Sequence, residues 1–233
     1  MVALVLCVIF ALSPPADTSW KYERLRKRMV ANQIEGRGVA NSAVLEAMRT
    51  VPRHRFVPDH DPRLAYGDRP LPIGHQQTIS QPFIVARMTE LVRPASTDRA
   101  LEVGTGSGYQ AAVLAEIVDS VFTIEIIPEL ATTARRRLQQ LGYDNVVVRT
   151  GDGYKGWSRR APFDLILVTA APETVPPPLL DQLADGGRMV VPVGPSGRVQ
   201  WLTLITKRNG KISKQKVSPV RFVPFLRDGD EMN

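Results

Sequence analysis

Cysteine and histidine are scarce in this chain of 233 residues. There is one cysteine, Cys7, and there are three histidines, His54, His60 and His75. A single cysteine excludes an internal disulfide, and histidines this far apart have no metal-ligand spacing, so we expect no metal site. The sequence also offers no His–Asp or Cys–His arrangement of the kind that hydrolases use for nucleophilic catalysis.

Long apolar runs are missing apart from residues 2–12, which are uninterrupted apolar residues. This run is too short to span a bilayer as a helix, but it has the length of the hydrophobic part of a signal peptide. No lysine or arginine precedes it, and residues 13–16 make a poor cleavage site. We therefore treat residues 1–18 as an apolar leader, either a working signal or a mis-assigned or disordered start.

The charge balance is basic but modest, with 30 lysines and arginines against 23 acidic residues and a net charge of +7. The basic residues are scattered along the chain. A nucleic-acid footprint is typically a single basic stripe with interleaved aromatic side chains, and aromatics make up only 6% of this sequence. We expect no nucleic-acid partner.

Residues 19–94 are predicted to form helices and a covering loop. Tyr22, Leu25, Met29 and Ile34 follow helical spacing, and Asn41 has the position of an N-cap for a second helix. Residues 53–81 are rich in proline and are predicted as a long loop without regular structure, which is usually functional. A further helix is expected from Pro82 to Val92.

From residue 99 onward, strand and helix patterns alternate, which predicts an α/β fold with a doubly wound, mostly parallel sheet in residues 95–226. Together with residues 19–94 this forms one compact domain, followed by a tail at 227–233. The predicted strands are 99–103, 120–125, 145–149, 163–169, 187–193, 199–206 and 211–223, the last two around an Asn209–Gly210 turn, and the predicted helices are 109–117, 128–141 and 176–184.

A glycine motif joins the first of these strands to the helix that follows it. Gly104, Gly106 and Gly108 alternate with other residues after Glu102. A dinucleotide site requires the pattern G-x-G-x-x-G, and its last position is Tyr109 here, so that pattern fails. The remaining E-x-G-x-G-x-G pattern resembles the first motif of the S-adenosylmethionine-dependent methyltransferases, whose ligand is a sulfonium nucleoside with an amino-acid tail. That resemblance implies a class I, Rossmann-like methyltransferase fold with an N-terminal helical extension.

Two further acidic residues follow strands of the same sheet. Glu125 ends the second strand, where a carboxylate can accept hydrogen bonds from both ribose hydroxyls. Asp152, followed by Gly153, lies just beyond the third strand and can accept a hydrogen bond from an adenine amine. The alternatives are a surface carboxylate at 125 and a turn-forming residue at 152. Glu102 is predicted either to face the same crevice or to hold the glycine turn.

The resemblance extends beyond the cofactor motif, from about residue 22 to residue 225. The chain is similar to the protein-L-isoaspartate O-methyltransferase family. Thr78-Ile79-Ser80 next to Pro82 is the most specific matching segment. The others are 29–34, 37–38, 51–58, 65–66, 77–82, 101–110, 151–153, 161–164 and 187–194. His75-Gln76 departs from the glycine-containing sequence that the family more often shows.

The resemblance implies an enzyme that methylates the α-carboxylate of L-isoaspartyl residues in damaged proteins and peptides, with S-adenosyl-L-methionine as methyl donor. The methyl ester closes to a succinimide that hydrolyses partly to normal aspartyl. It implies Ser80 as the active-site residue, with Thr78 and Ile79 lining the floor where cofactor and substrate meet. An N-cap for the helix at Pro82 is the alternative role for Ser80. It also implies a monomeric, cytoplasmic protein, and the apolar leader leaves export open.

Three other kinds of methyltransferase are considered as alternatives. Enzymes that methylate an adenine amine usually carry an N-P-P-Y-like run after the fourth strand, where this chain reads Val-Thr-Ala-Ala-Pro at 168–172. Cytosine C5 enzymes need a nucleophilic cysteine, and Cys7 lies in the leader. A small-molecule O-methyltransferase is the third possibility.

Overall fold

The computed structural model describes residues 19–57 and 62–230. The predicted leader, residues 1–18, and His60 lie outside the described residues. Three helices precede the main sheet: α1 (Ser19–Met29), which continues as a π-helical turn to Ile34, α2 (Ser42–Thr50) and α3 (Pro82–Val92). In the described part of the chain, every helix is too short or too polar to cross a membrane.

The helix starts follow local chemistry. The Asn41 side chain accepts a hydrogen bond from the backbone N–H of Val44 at 3.1 Å, which confirms it as the N-cap of α2. Pro82 occupies the first turn of α3, where a missing N–H costs nothing.

The long loop predicted at 53–81 is wrong in part. It contains short 3₁₀ turns at Arg53–Phe56 and Pro62–Tyr66, and then a hairpin of β1 (Leu71–Gly74) and β2 (Gln77–Ile79). These strands have four and three residues, too few to show a period-two pattern. The hairpin tip has left-handed backbone at His75 and Gln76, with φ of 50° and 56°.

The main sheet has seven strands: β3 (Arg99–Val103), β4 (Ser120–Glu125), β5 (Val146–Thr150), β6 (Phe163–Val168), β7 (Leu183–Val193), β8 (Gln200–Arg208) and β9 (Lys211–Val220). Three helices lie between them in the chain: α4 (Tyr109–Ala115), α5 (Pro128–Gln140) and α6 (Pro177–Gln182). The order of the strands across the sheet is β5-β4-β3-β6-β7-β8-β9; β5 through β7 are parallel, and β8 and β9 are antiparallel to their neighbours. The predicted doubly wound, mostly parallel fold is confirmed.

The bounds predicted from the sequence and those in the structure differ most around α6. The helix predicted at 176–184 ends at Gln182, because Leu183 pairs with Phe163 as the first residue of β7. Leu183 is buried within this strand, where it is 1% exposed.

Two apolar layers cover the sheet. Helices α1 to α5 pack on one face, and α6 with the segment around Phe225 packs on the other. The strand order reverses between β3 and β6, which both lie in the middle of the sheet. Such a reversal opens a crevice at the carboxyl ends of the two strands, and this crevice positions the site.

Candidate active site

A cleft lies at the carboxyl ends of β3, β4 and β6. Ligands of open α/β sheets bind at this edge of the sheet. The cleft combines polar strand ends with an apolar wall from the C-terminal segment. Its lining includes Thr78, Gly104, Gly106, Glu125, Ile126, Ile127, Gly153, Thr169, Val223, Pro224, Phe225 and Leu226.

Hydrogen bonds from the two neighbouring strand ends hold the glycine turn. The N–H of Gly104 donates to the Ile124 carbonyl at 2.8 Å, and the Thr169 hydroxyl donates to the carbonyl of Gly104 at 2.7 Å. Gly104 has φ +97°, and a Cβ there would lie 2.4 Å from the Thr169 hydroxyl oxygen. Position 104 therefore requires glycine, because Thr169 at the end of β6 occupies the space that a Cβ would need.

The other two glycines serve different neighbours. A Cβ on Gly108, which has φ +91°, would lie 3.2 Å from Leu138 on α5, so this glycine permits close packing of α5 on the turn. Gly104 and Gly106 both line the cleft, and a Cβ on Gly106 would lie 3.2 Å from Ile73. Contact of the three glycines with a bound cofactor stays a prediction.

Glu125 ties the glycine turn to the end of β4. Its Oε2 accepts from the N–H of Gly106 at 2.7 Å, and its Oε1 accepts from the N–H of Ile127 at 3.1 Å. Burial raises its pKa, while these backbone bonds lower it. Each oxygen keeps a second lone pair, so the predicted bonds to ribose hydroxyls remain available.

Glu102 is fully buried beneath the turn. Thr123 donates a hydrogen bond to its Oε2 at 2.5 Å, and the Thr123 hydroxyl lies 2.6 Å from that of Thr105. Its Oε1 has no hydrogen-bond partner among the described residues. Burial raises the pKa of Glu102 to about 8, although the Thr123 bond opposes the shift. Glu102 is linked to Thr105 in the glycine turn through Thr123, and it lines a small cavity between the turn and Ser80 but not the cleft. Its contact with a bound cofactor stays a prediction.

Asp152 acts within the protein as a turn former. Its Oδ1 accepts from the N–H of Tyr154 at 2.9 Å, and its Oδ2 accepts from Arg227 Nε at 3.1 Å. The residue that lines the cleft here is Gly153, not Asp152. The bond to an adenine amine stays a prediction for Asp152.

A groove continues from the cleft along the β1–β2 hairpin. Thr78 and Thr169 line the cleft, the groove and the small cavity beside Glu102, whereas Ser80 lines the groove and the small cavity. The three residues therefore mark the place where the spaces meet. Ile79 is buried and lines only the small cavity.

The N-cap role considered for Ser80 is wrong. The N-cap of α3 is Gln81, and no side chain caps that helix end. The Ser80 hydroxyl has no hydrogen-bond partner among the described residues, whereas the Ser80 carbonyl accepts from Arg53. Its hydroxyl is thus available to a group that enters the groove.

Sequence reasoning missed Thr169, Arg53 and Phe225 as residues of this region. Thr169 follows β6 in the middle of the sheet, so the alternating strand pattern contained a signal for it. Arg53 and Phe225 carried no such signal, because their positions depend on how distant segments pack. Among the described residues, no three His, Cys, Asp or Glu side chains come together as metal ligands do.

The sequence profile described as Protein-L-isoaspartate(D-aspartate) O-methyltransferase (PCMT) matches residues 24–230. A protein-L-isoaspartate O-methyltransferase of Gloeobacter violaceus is 60% identical over 200 residues, covering 86% of this chain and 98% of that protein. One of Opitutus terrae is 57% identical over 211 residues, covering 89% and 91%.

Solved structures give the same result. A protein-L-isoaspartate O-methyltransferase superimposes with a TM-score of 0.79 at 29% identity, covering 85% of this chain and 65% of that one. A Plasmodium falciparum chain described as a PCMT, in complex with S-adenosyl-L-homocysteine, superimposes with a TM-score of 0.74 at 26% identity, covering 87% and 98%. By its sequence and its fold, this chain belongs to the protein-L-isoaspartate(D-aspartate) O-methyltransferase family.

Proposed function

We propose that this enzyme transfers the methyl group of S-adenosyl-L-methionine to the α-carboxylate of L-isoaspartyl residues in damaged proteins and peptides, the first step of their repair. The observation that carries the proposal is the meeting of a cleft at the carboxyl ends of the strands and a groove at Thr78 and Thr169, beside the Ser80 hydroxyl. Family membership identifies the chemistry that such a meeting point serves.

The residues of the cleft fit S-adenosyl-L-methionine. In the small cavity beside the cleft, the unpaired, buried Oε1 of Glu102 suits an ammonium group, because a buried carboxyl oxygen without a partner is costly. Glu125 is placed for the ribose hydroxyls. Gly153, with Asp152 behind it, borders the adenine position, where Phe225 supplies an apolar wall. When bound, the cofactor supplies an electrophilic sulfonium methyl group.

The chain's own residues orient the reactants and exclude water. A peptide α-carboxylate has a pKa of about 3.5, so it is ionised at neutral pH and needs no general base. The Ser80 hydroxyl can donate to one carboxylate oxygen and leave the other free to attack. Thr78 and Ile79 form the floor beneath it. Catalysis here rests on alignment and on removal of water from the nucleophile.

The groove carries positive charge along its walls. Arg37 and Arg221 both line it. The guanidinium of Arg37 pairs with Asp68 at 2.8 Å and lies 3.6 Å from the centre of the Phe83 ring. Such walls favour an extended peptide with acidic or aromatic residues near the isoaspartyl group.

We place the enzyme in the cytoplasm, where S-adenosyl-L-methionine is made, and propose that it acts as a monomer without nucleic acid. Cell fractionation with an antibody to the native protein, followed by N-terminal sequencing, tests the location. Recovery of a shortened chain from an extracytoplasmic fraction would overturn it in favour of export.

The function is tested by tritium transfer from S-adenosyl-L-[methyl-³H]methionine to a synthetic peptide containing isoaspartate. We expect base-labile label in this peptide and none in the same peptide with normal aspartate. Parallel reactions contain duplex DNA, RNA and a mixture of small carboxylic and phenolic acids. Label in one of these acceptors, with none in the isoaspartyl peptide, would reject the proposal and identify the alternative class.

A further inference from the structure

Arg53 is a fully buried arginine next to the proposed active site. It opens the 3₁₀ turn after α2, and its side chain has no exposed surface. Arginine is almost never buried to this degree without a charged partner. Among the ion pairs of residues 19–57 and 62–230, none includes Arg53. Its burial therefore needs another explanation.

The guanidinium joins three separate segments of the chain. Nε donates to the carbonyl of Ala65 at 2.8 Å, and Nη2 donates to the carbonyl of Ser80 at 2.7 Å. The group also lies 4.7 Å from the centre of the Tyr109 ring, at the start of α4. Nη1 has no hydrogen-bond partner among the described residues. The contacts thus connect the turn before β1, the end of the hairpin and the glycine-turn helix.

The hydrogen bond from Arg53 holds the backbone carbonyl of Ser80, and the backbone in turn determines where the Ser80 hydroxyl can lie. A serine hydroxyl has only three staggered positions about its single χ1 bond. Fixing the Ser80 peptide plane therefore limits where its hydroxyl can lie in the groove. Ser80 follows the last residue of β2 and precedes the N-cap of α3, so it belongs to neither element.

We propose that Arg53 is a positioning residue for methyl transfer, which places the Ser80 hydroxyl by holding the Ser80 carbonyl from within the core. The inference rests on the proposed function and on the role of Ser80 within it. Burial lowers the pKa of Arg53 to about 10, so the guanidinium keeps its charge and all its donors at neutral pH.

The first test is Arg53→Lys, which keeps the charge but loses the planar fork that reaches two carbonyls. We expect kcat for an isoaspartyl peptide to fall about tenfold or more. We expect the Kd for S-adenosylhomocysteine, measured by calorimetry, to stay within a few-fold, because Arg53 does not line the cofactor cleft. Circular dichroism and the melting temperature monitor the fold.

A double-mutant cycle separates positioning from general support of the structure. If Arg53 acts through Ser80, adding Arg53→Lys to a Ser80→Ala enzyme lowers kcat by less than about twofold. If Arg53 only supports the fold, the two losses multiply, and that result overturns the proposal. Unchanged kcat in Arg53→Lys alone also overturns it.

Arg135 provides the matched control. Its guanidinium also donates to a backbone carbonyl, that of Val148 at 3.1 Å, and it lines neither the groove nor the cleft. Arg135→Lys is expected to leave kcat unchanged in both the wild-type and the Ser80→Ala backgrounds.

Folding failure is also decisive. If Arg53→Lys does not fold, Arg53→Gln replaces it, because the amide carries no buried charge and still donates to one carbonyl. Failure of both variants to fold would assign Arg53 to structure alone and reject the proposal. Absence of methyl transfer in the wild-type protein would reject the proposed function itself, which distinguishes the two failures.

Discussion

Ser80 lines the groove and the small cavity beside Glu102, and we propose that its hydroxyl holds the substrate carboxylate there. Replacing it with alanine removes one donor to the carboxylate and leaves the cleft lining intact. We expect Ser80→Ala to lower kcat by about 10- to 100-fold through lost alignment, with the Kd for S-adenosylhomocysteine within a few-fold by calorimetry.

The exposed Ser213 on β9 gives a control, since Ser213→Ala should change neither quantity. A large loss of cofactor affinity in Ser80→Ala, or an unchanged rate, would contradict the role assigned to this hydroxyl.

We predict that Glu102 links cofactor binding to proton release. Its pKa of about 8 means that the carboxyl is mostly protonated at pH 7. An ammonium group placed beside it favours the ionised form and lowers the pKa. We therefore expect binding of S-adenosylhomocysteine at pH 7 to release up to about one proton, and to release fewer as the pH rises above 8. The measurement is calorimetry in buffers of different ionisation enthalpy.

The Glu102→Gln protein is the reference for this measurement. It should release no proton from this position and should bind more weakly, because the amide carries no charge. Equal proton release by the two proteins would show that another group titrates.

At the scale of elements, the turn from β3 to α4 packs against Thr169 at the end of the neighbouring strand β6. Gly104→Ala places a Cβ against the Thr169 hydroxyl and also strains a left-handed backbone. We expect this change to cost about 3 kcal/mol of unfolding free energy and to weaken S-adenosylhomocysteine binding at least about tenfold. Urea titration and calorimetry measure the two effects.

Gly142→Ala separates strain from clash. Gly142 also has a left-handed backbone, with φ +80°, but nothing lies within 4 Å of its Cβ position. Its alanine variant should lose about 1 kcal/mol of stability and keep full cofactor affinity. If Gly104→Ala behaves no differently, the contact with Thr169 is unimportant.

Elements with strong local signals were predicted well. Asn41 and Pro82 mark helix starts through their own backbone chemistry, and the strands at 99–103 and 120–125 have the predicted bounds. The β1–β2 hairpin was missed because its strands are short and its tip uses non-glycine residues in left-handed conformation.

At the scale of the whole molecule, every residue assigned to the site lies between Arg37 and Leu226. A protein that begins at Ser19 is therefore expected to keep kcat/KM within twofold of the full chain. It should also unfold in one cooperative transition, because residues 19–94 and 95–226 share one apolar layer. Peptide methylation assays and calorimetric scans check both statements.

The two outcomes bear on different parts of the chain. Loss of activity in the shortened protein would assign the apolar leader a part in the site. Two separate transitions would divide residues 19–226 into independent units.

Apart from the β1–β2 hairpin, the sequence by itself determined the order of strands and helices, together with the helix starts at Asn41 and Pro82 and the glycine motif with its acidic neighbours. These features depend on interactions between residues a few positions apart, so periodicity and spacing reveal them. Its resemblance to one family also indicated the chemistry and predicted Ser80 as the active-site residue.

Only the tertiary structure decided which distant groups meet. The Thr169 hydroxyl bonds to a carbonyl 65 residues away, and Arg53 bonds to one 27 residues away. Burial leaves Glu102 with one unpaired oxygen. Such contacts arise from strand order and from the packing of whole elements, because no local pattern specifies which segments approach one another.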